Sequence, residues 1–126
     1  MLHVTLPLMI AGAMPFLLTL ISKVGAFSKD DNHQTRLWQS QLTGWRQRAY
    51  WAHQNSFEVF PLFAAAVLAN HMAAPASELG PIAAWGFLAT RVAYAACYIA
   101  DKAALRSLVW FAGIGCVFTL FVTALR

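Results

Sequence analysis

Four apolar runs, each long enough to cross a bilayer as a helix, constrain this chain more than any other feature. A helix of about 20 residues spans the roughly 30 Å hydrocarbon core of a membrane. The chain has 126 residues, of which 60% are hydrophobic and only 11% are charged, whereas soluble domains usually carry about 25% charged residues. An all-α, up-down four-helix bundle in one integral membrane domain is predicted. Its spans are expected near residues 3–24, 44–72, 78–101 and 105–125.

The cations between these runs predict the orientation of the bundle. The first and third connections are flanked by seven of them, Lys23, Lys29, Arg36, Arg46, Arg48, Lys102 and Arg106. The second connection has none, and Arg126 stands alone at the C-terminus. By the positive-inside rule, the polar connection 25–43 is cytoplasmic and both termini face away from the cytoplasm. Because these cations are not gathered in a solvated patch, nucleic-acid binding is not expected.

Two ionisable residues lie where a membrane helix should be apolar. Glu58 falls about three turns into the second run and Arg91 midway along the third. Each charge costs a few kcal/mol inside a bilayer, so each needs a partner. The two are predicted to pair on adjacent antiparallel helices and to face the bundle, either as a structural ion pair or as part of a site. Cys97 and Cys116 lack metal-ligand spacing and are predicted to be small buried hydrophobes, so no metal site is expected.

Helical spacing collects further polar residues on two faces. At about 100° per residue, one face of the second helix carries Arg48, Trp51, Ala52, Asn55 and Glu58. One face of the third carries Arg91, Tyr94, Tyr98 and Lys102. Arg106 and Ser107 open the fourth helix. A polar cluster in the cytoplasmic half is predicted, suited to an amphiphilic anion with its carboxylates on the arginines and an amine on Glu58. The alternative is that Tyr94 and Tyr98 are aromatic residues at the membrane interface, in which case they would not contact a ligand.

The order and spacing of these residues resemble one known family. The motif Arg48-x-x-x-Ala52-x-x-Asn55-x-x-Glu58-x-x-Pro61, then Arg91-x-x-Tyr94-x-x-x-Tyr98 and Arg106-Ser107, is similar to that of the MAPEG family. This family groups microsomal glutathione transferases, the glutathione-using prostaglandin and leukotriene synthases, and a non-enzymatic lipoxygenase-activating protein. The likeness covers nearly the whole chain and is greatest to the small bacterial members.

The resemblance implies a homotrimer in the bacterial inner membrane, with glutathione sites between subunits near the cytoplasmic face. Glutathione would be the co-substrate, and the acceptor a small hydrophobic electrophile dissolved in membrane lipid. The positions matched to glutathione binding are Arg48, Asn55, Glu58, Arg91, Tyr94 and Tyr98. Arg106 matches the arginine held to stabilise the thiolate, which is the nucleophilic form of a thiol.

Two departures from the family pattern leave the activity open. Gln47 stands where the enzymes usually have Glu, and Trp51 where several have a second arginine. A lost charged hydrogen bond to a glutathione carboxylate would cost about 1.5–3 kcal/mol of binding. The leading hypothesis is a membrane glutathione transferase, with glutathione peroxidase activity as an additional option. The alternative is a non-catalytic protein of this fold that binds lipid or presents a partner, and a small transporter is a third. Trp51 favours the non-catalytic alternative, whereas Arg106 and Tyr98 favour the enzyme.

Overall fold

The computed structural model describes residues 2–125, and side chains from residue 3 onward. Arg126, which enters the charge count above, lies outside the described residues. The described residues form five α-helices, α1 (Leu2–Lys23), α2 (Thr35–Ser40), α3 (Gly44–Ala73), α4 (Leu79–Ile99) and α5 (Ala103–Ala124). All but α2 are long and apolar enough to cross a membrane. The prediction of an all-α membrane bundle with four spans is confirmed.

Small and aromatic side chains form the core between the four long helices. Ala52, Ala66 and Ala84 are fully buried, and such small residues allow helix backbones to approach closely. Phe63 of α3 stacks on Phe87 of α4 with ring centroids 3.9 Å apart. The most extensive helix contact is between α4 and α5, followed by that between α1 and α3. The bundle therefore consists of two antiparallel pairs packed against each other.

The two glycines of α5 have different surroundings. A Cβ atom on Gly113 would lie 2.7 Å from the Thr90 hydroxyl oxygen of α4, whereas one on Gly115 would meet nothing within 4 Å. A glycine at either position would permit close helix packing. Within the protomer it occurs at Gly113 alone of these two, because Gly115 lies on the exposed side of α5.

The polar connection 25–43 contains more regular structure than its composition indicates. A 3-10 helix (Asp31–Gln34) runs directly into α2. Just before this helix, the Ser28 hydroxyl donates to the Asp31 carboxylate at 2.7 Å, and the Ser28 amide donates to the same carboxylate at 2.8 Å. These hydrogen bonds lower the pKa of Asp31. The connection is joined to α1 by Gln39, whose side-chain nitrogen donates to the Thr19 hydroxyl at 2.9 Å.

A three-residue turn joins α4 to α5. The Lys102 amide donates to the Cys97 carbonyl at 2.8 Å and the Asp101 amide to the Tyr98 carbonyl at 3.1 Å. This is the hydrogen-bond pattern of a Schellman motif, with Asp101 in the left-handed conformation at φ +60°. The turn leads directly into α5 and brings its first residues close to the last turn of α4.

Candidate functional site

Arg91 is the buried centre of the polar cluster. It lies on α4 and is only 4% exposed. One terminal nitrogen donates to the Asn55 side-chain oxygen at 2.9 Å and to the Ser56 hydroxyl at 3.5 Å, both on α3. The guanidinium carbon also lies 4.1 Å from the centroid of the Tyr94 ring. Its Nε atom is buried without a hydrogen-bond partner. The amide, the hydroxyl and the phenol ring that contact this cation are all neutral.

The predicted direct ion pair between Glu58 and Arg91 is not found in the part of the chain that the structure describes. Asn55 lies between the two charges, because its amide nitrogen donates to the Glu58 carboxylate at 3.0 Å while its oxygen accepts from Arg91. The expectation that both residues face the bundle is also wrong for Glu58, whose side chain is exposed. An amide relay therefore connects a buried cation to an accessible carboxylate.

Two tyrosines on α4 extend this network towards α5. The rings of Tyr94 and Tyr98 meet edge to face with centroids 5.5 Å apart. The Arg106 guanidinium lies 4.2 Å from the centroid of the Tyr98 ring, a cation–π contact. Trp51 of α3 approaches the same ring at 6.1 Å. Tyr98 thus brings together residues of three helices.

Two open clefts adjoin the tyrosine pair. The α3-side cleft has a volume of about 290 Å³, and the α5-side cleft about 330 Å³. The α3-side cleft is lined by Trp51, Gln54, Asn55, Glu58, Tyr94 and Tyr98. The α5-side cleft is lined by Tyr94, Tyr98, Arg106, Ser107, Trp110 and Phe111. Because both tyrosines line both clefts, an acidic recess and a basic recess share one aromatic wall.

Arg48, another predicted site residue, is bound to the backbone at the end of α4. Its Nε atom donates to the Ile99 carbonyl at 3.0 Å. That carbonyl belongs to the last turn of α4, where backbone oxygens have no partner within the helix. The cation also complements the negative end of the helix dipole. Arg48 joins α3 to the end of α4 and does not line either cleft.

A comparison with protein-family models gives a match to the MAPEG family over residues 4–126. The chain belongs to the MAPEG family. The resemblance predicted from the Arg48–Pro61, Arg91–Tyr98 and Arg106–Ser107 motifs is therefore confirmed. The chain is an integral, multi-pass membrane protein of a family associated with glutathione and eicosanoid metabolism. No curated protein and no solved structure matches it.

Ser56, Gln54, Trp110 and Phe111 belong to this MAPEG site but are missing from the sequence-based prediction. Ser56 is buried, accepts from Arg91 and donates to the Ala52 carbonyl at 2.8 Å. Gln54 lines the α3-side cleft, and Trp110 lines the α5-side cleft. A signal existed for Trp110, which follows Arg106 by four residues and so lies on the same face of α5.

The chemistry available to the MAPEG protein follows from these groups. Glu58 can accept hydrogen bonds from an ammonium group. Arg106 can stabilise an anion without donating a proton, because a guanidinium stays charged at neutral pH. The described residues include no group of three His, Cys, Asp or Glu side chains that could hold a metal ion. An acidic recess suited to a cationic group of a ligand thus adjoins a basic recess suited to an anionic one.

Proposed function

We propose that this MAPEG protein is a membrane glutathione transferase that activates the glutathione thiolate against hydrophobic electrophiles. The observation that carries the proposal is the continuous path of contacts from Glu58 through Asn55, Arg91, Tyr94 and Tyr98 to Arg106. It offers an anionic partner at one end and a cationic partner at the other. Glutathione carries complementary groups, an ammonium and a thiol.

Glutathione lies across the tyrosine pair in this proposal. Its ammonium group binds Glu58 in the α3-side cleft, where Gln54 and Asn55 supply further hydrogen-bonding groups. Its sulfur lies beside Arg106 in the α5-side cleft. A cation close to a thiol lowers the pKa of that thiol, commonly by 1–3 units for a charge about 4–6 Å away. The bound thiol is therefore ionised to a larger extent at neutral pH than it is in water.

The reaction is a nucleophilic substitution or addition at carbon. The thiol proton passes to water, and the sulfur electron pair forms a carbon–sulfur bond with the electrophile. A leaving group departs with its bonding electrons, or an opened epoxide oxygen takes a proton from water. Arg106 keeps its own proton throughout. Its role is to stabilise the negative charge on sulfur before the bond forms.

The electrophile enters from the lipid through the α5-side cleft. Trp110 and Phe111 line that cleft, with their rings edge to face at a centroid distance of 5.2 Å. Phe111 is 67% exposed, which inside a bilayer means contact with lipid or with another subunit. An apolar acceptor dissolved in the membrane is thus offered an aromatic surface next to the thiolate.

The assembly and orientation form part of the same proposal. The protein is a homotrimer in the bacterial inner membrane, with both termini away from the cytoplasm. The basic connections at the α3 start and the α4–α5 turn lie at the end of the bundle that holds the site. The positive-inside rule puts this end at the cytoplasmic surface, where a water-soluble thiol has access.

A non-catalytic lipid-binding or partner-presenting role is the second candidate. The feature that favours it is Trp51, an apolar ring in the α3-side cleft where a cation would hold a ligand carboxylate. Such a protein would keep the two clefts but would bind an acyl chain or a partner helix in them.

Titration calorimetry of the detergent-solubilised protein with glutathione separates the two candidates. The transferase hypothesis expects saturable binding at millimolar thiol or below. If S-methylglutathione binds equally well at every pH, the sulfur lacks a cationic partner and the Arg106 assignment is wrong. If neither compound binds at millimolar concentration, the transferase hypothesis fails and the non-catalytic role becomes the better explanation.

A further inference from the structure

A small cavity lies between α1, α3 and α4 and shares no lining residue with the two clefts. Each of the three helices contributes two buried residues to its lining, Ala11 and Met14 from α1, Ser56 and Val59 from α3, and Phe87 and Arg91 from α4. All three helices belong to one protomer, and these side chains are covered within it. The groups inside the cavity are therefore beyond the reach of a neighbouring subunit.

Arg91 brings an unpaired hydrogen-bond donor to this cavity. One terminal nitrogen of its guanidinium donates to Asn55 and Ser56. The Nε atom of the same group is buried and has no partner among the described residues. A buried donor that has given up water without replacing it is unfavourable, and more so when the donor is charged. The Nε–H group therefore requires an acceptor, and the cavity that Arg91 lines is where one can lie.

The α1 side of the cavity carries a backbone carbonyl that has lost its usual donor. Pro15 lies inside α1 and is fully buried. Because proline has no amide hydrogen, the carbonyl of Ala11, four residues earlier, does not receive the hydrogen bond that residue 15 would otherwise donate. On the α3 side, the Ser56 hydroxyl hydrogen is committed to the Ala52 carbonyl, which leaves its oxygen as an acceptor. One unpaired donor and two acceptors thus belong to residues around the cavity.

We propose that this cavity binds one water molecule, which accepts a hydrogen bond from Arg91 Nε and donates to the Ala11 carbonyl and the Ser56 oxygen. The cavity volume is about 10 Å³, close to the minimum for a single water and too small for an organic ligand. Three hydrogen bonds are the usual number for a buried water. Through this water α1 contributes to holding the Arg91 guanidinium, whose other contacts come from α3 and α4. The site needs no bound thiol, so it is independent of the proposed function.

The test is a water–protein NOE measurement on the full-length protein, with isotope-labelled arginine, in deuterated detergent. The Arg91 Nε–H resonance can be assigned by its proximity to the Tyr94 ring. It should show a direct cross-peak to water, with the sign of a long-lived contact. The cross-peak should persist in Ser56→Ala, because two partners of the water remain and no hydroxyl hydrogen is left to relay the signal. A resonance without this cross-peak, or one lost through rapid exchange with bulk solvent, would overturn the proposal.

Two buried prolines of α1 provide a matched pair of variants. Pro15→Ala supplies an amide hydrogen to the Ala11 carbonyl, so the water loses a partner and the cross-peak should lose most of its intensity. Pro7→Ala makes the same chemical change at the His3 carbonyl, away from the cavity, and should leave the cross-peak as it is in wild type. An undiminished cross-peak in Pro15→Ala, or equal losses in both variants, would overturn the bridge to α1. The wild-type measurement does not depend on whether either variant folds.

Discussion

Asn55 accepts a hydrogen bond from Arg91 at 2.9 Å and in doing so separates this guanidinium from the Glu58 carboxylate. A direct ion pair would leave the carboxylate neutralised and inaccessible. With the amide between them, the buried cation is stabilised by a dipole, and Glu58 retains a free acceptor surface in the α3-side cleft. The relay thus explains how one site can contain a buried cation and a carboxylate that is still available to a ligand.

Replacing Asn55 tests the amide relay. Asn55→Leu removes the acceptor of Arg91 and the donor to Glu58 in one step. Because a buried group deprived of its partner costs about 1–3 kcal/mol, the free energy of unfolding in detergent should fall by that amount. Gln54→Leu is the matched control, since Gln54 lines the same cleft and lies outside the relay. Equal losses in the two variants would show that the relay contributes nothing specific.

Replacing Arg106 tests the thiolate partner. Arg106→Ala should move the ionisation of bound glutathione to higher pH and lower the conjugation rate at neutral pH by about 10-fold, the effect of one pKa unit. Conjugation of a generic aromatic electrophile, followed across a pH series, measures both. Arg106→Lys should keep most of the activity. Lys102→Ala removes a nearby cation that does not line either cleft and should leave the pH profile unchanged, so a shift there would assign the thiolate effect to bulk charge.

The two glycines of α5 form an internal comparison of helix packing. Gly113→Ala should destabilise the bundle by about 1–3 kcal/mol, because its methyl group would collide with Thr90 and overpack the α4–α5 contact. Gly115→Ala should be neutral or stabilise α5 by up to about 1 kcal/mol through helix propensity. Thermal unfolding of both variants in detergent measures the difference. A loss of stability in Gly115→Ala as large as that in Gly113→Ala would mean that both glycines pack against a helix.

The Ser28–Asp31 pair of the polar connection predicts a pH response outside the membrane. Its hydrogen bonds lower the pKa of Asp31 from the ordinary value of 3.8. The carboxylate therefore stabilises the connection above that value, and this contribution is lost as the pH falls through the lowered pKa. In Ser28→Ala, the Asp31 pKa should rise because the hydroxyl donor is gone.

Carbon NMR of the Asp31 carboxyl group measures that pKa directly. Ser40→Ala is the control, since the Ser40 hydroxyl donates within the same connection to the Leu37 carbonyl. An unchanged Asp31 titration in Ser28→Ala would assign the lowered pKa to the backbone amide alone.

Apolar run length was sufficient to predict the four long helices, and helical spacing predicted which site residues share a face of one helix. The 3-10 helix and α2 in the polar connection were not predicted. Residues 91, 94 and 98 follow a helical spacing, so their placement on one side of α4 needed no knowledge of neighbouring helices. The contact between Arg106 and Tyr98 depends on the turn that joins α4 to α5 and on its left-handed Asp101. Spacing within a single helix contains no information about that turn.

The errors in the sequence-based site have a common origin in how helices rotate against each other. Glu58 and Asn55 share a face of α3, and the pattern does not say which of them lies nearer α4. In the structure Asn55 is the nearer one, so it takes the contact with Arg91 that was predicted for Glu58. Arg48 shares the same face, yet its long side chain reaches a carbonyl at the end of α4. Backbone carbonyls at helix ends can also bind cations, and the spacing of residues within one helix does not predict such contacts.

The three-residue turn between α4 and α5 makes the two halves of the site depend on different parts of the bundle. Tyr98 and Arg106 stand on either side of this turn, so their contact is contained in one hairpin. The relay from Glu58 through Asn55 to Arg91 instead requires α3 to pack against α4. A change that loosens α3 would therefore disrupt the acidic recess and leave the cation beside its aromatic ring.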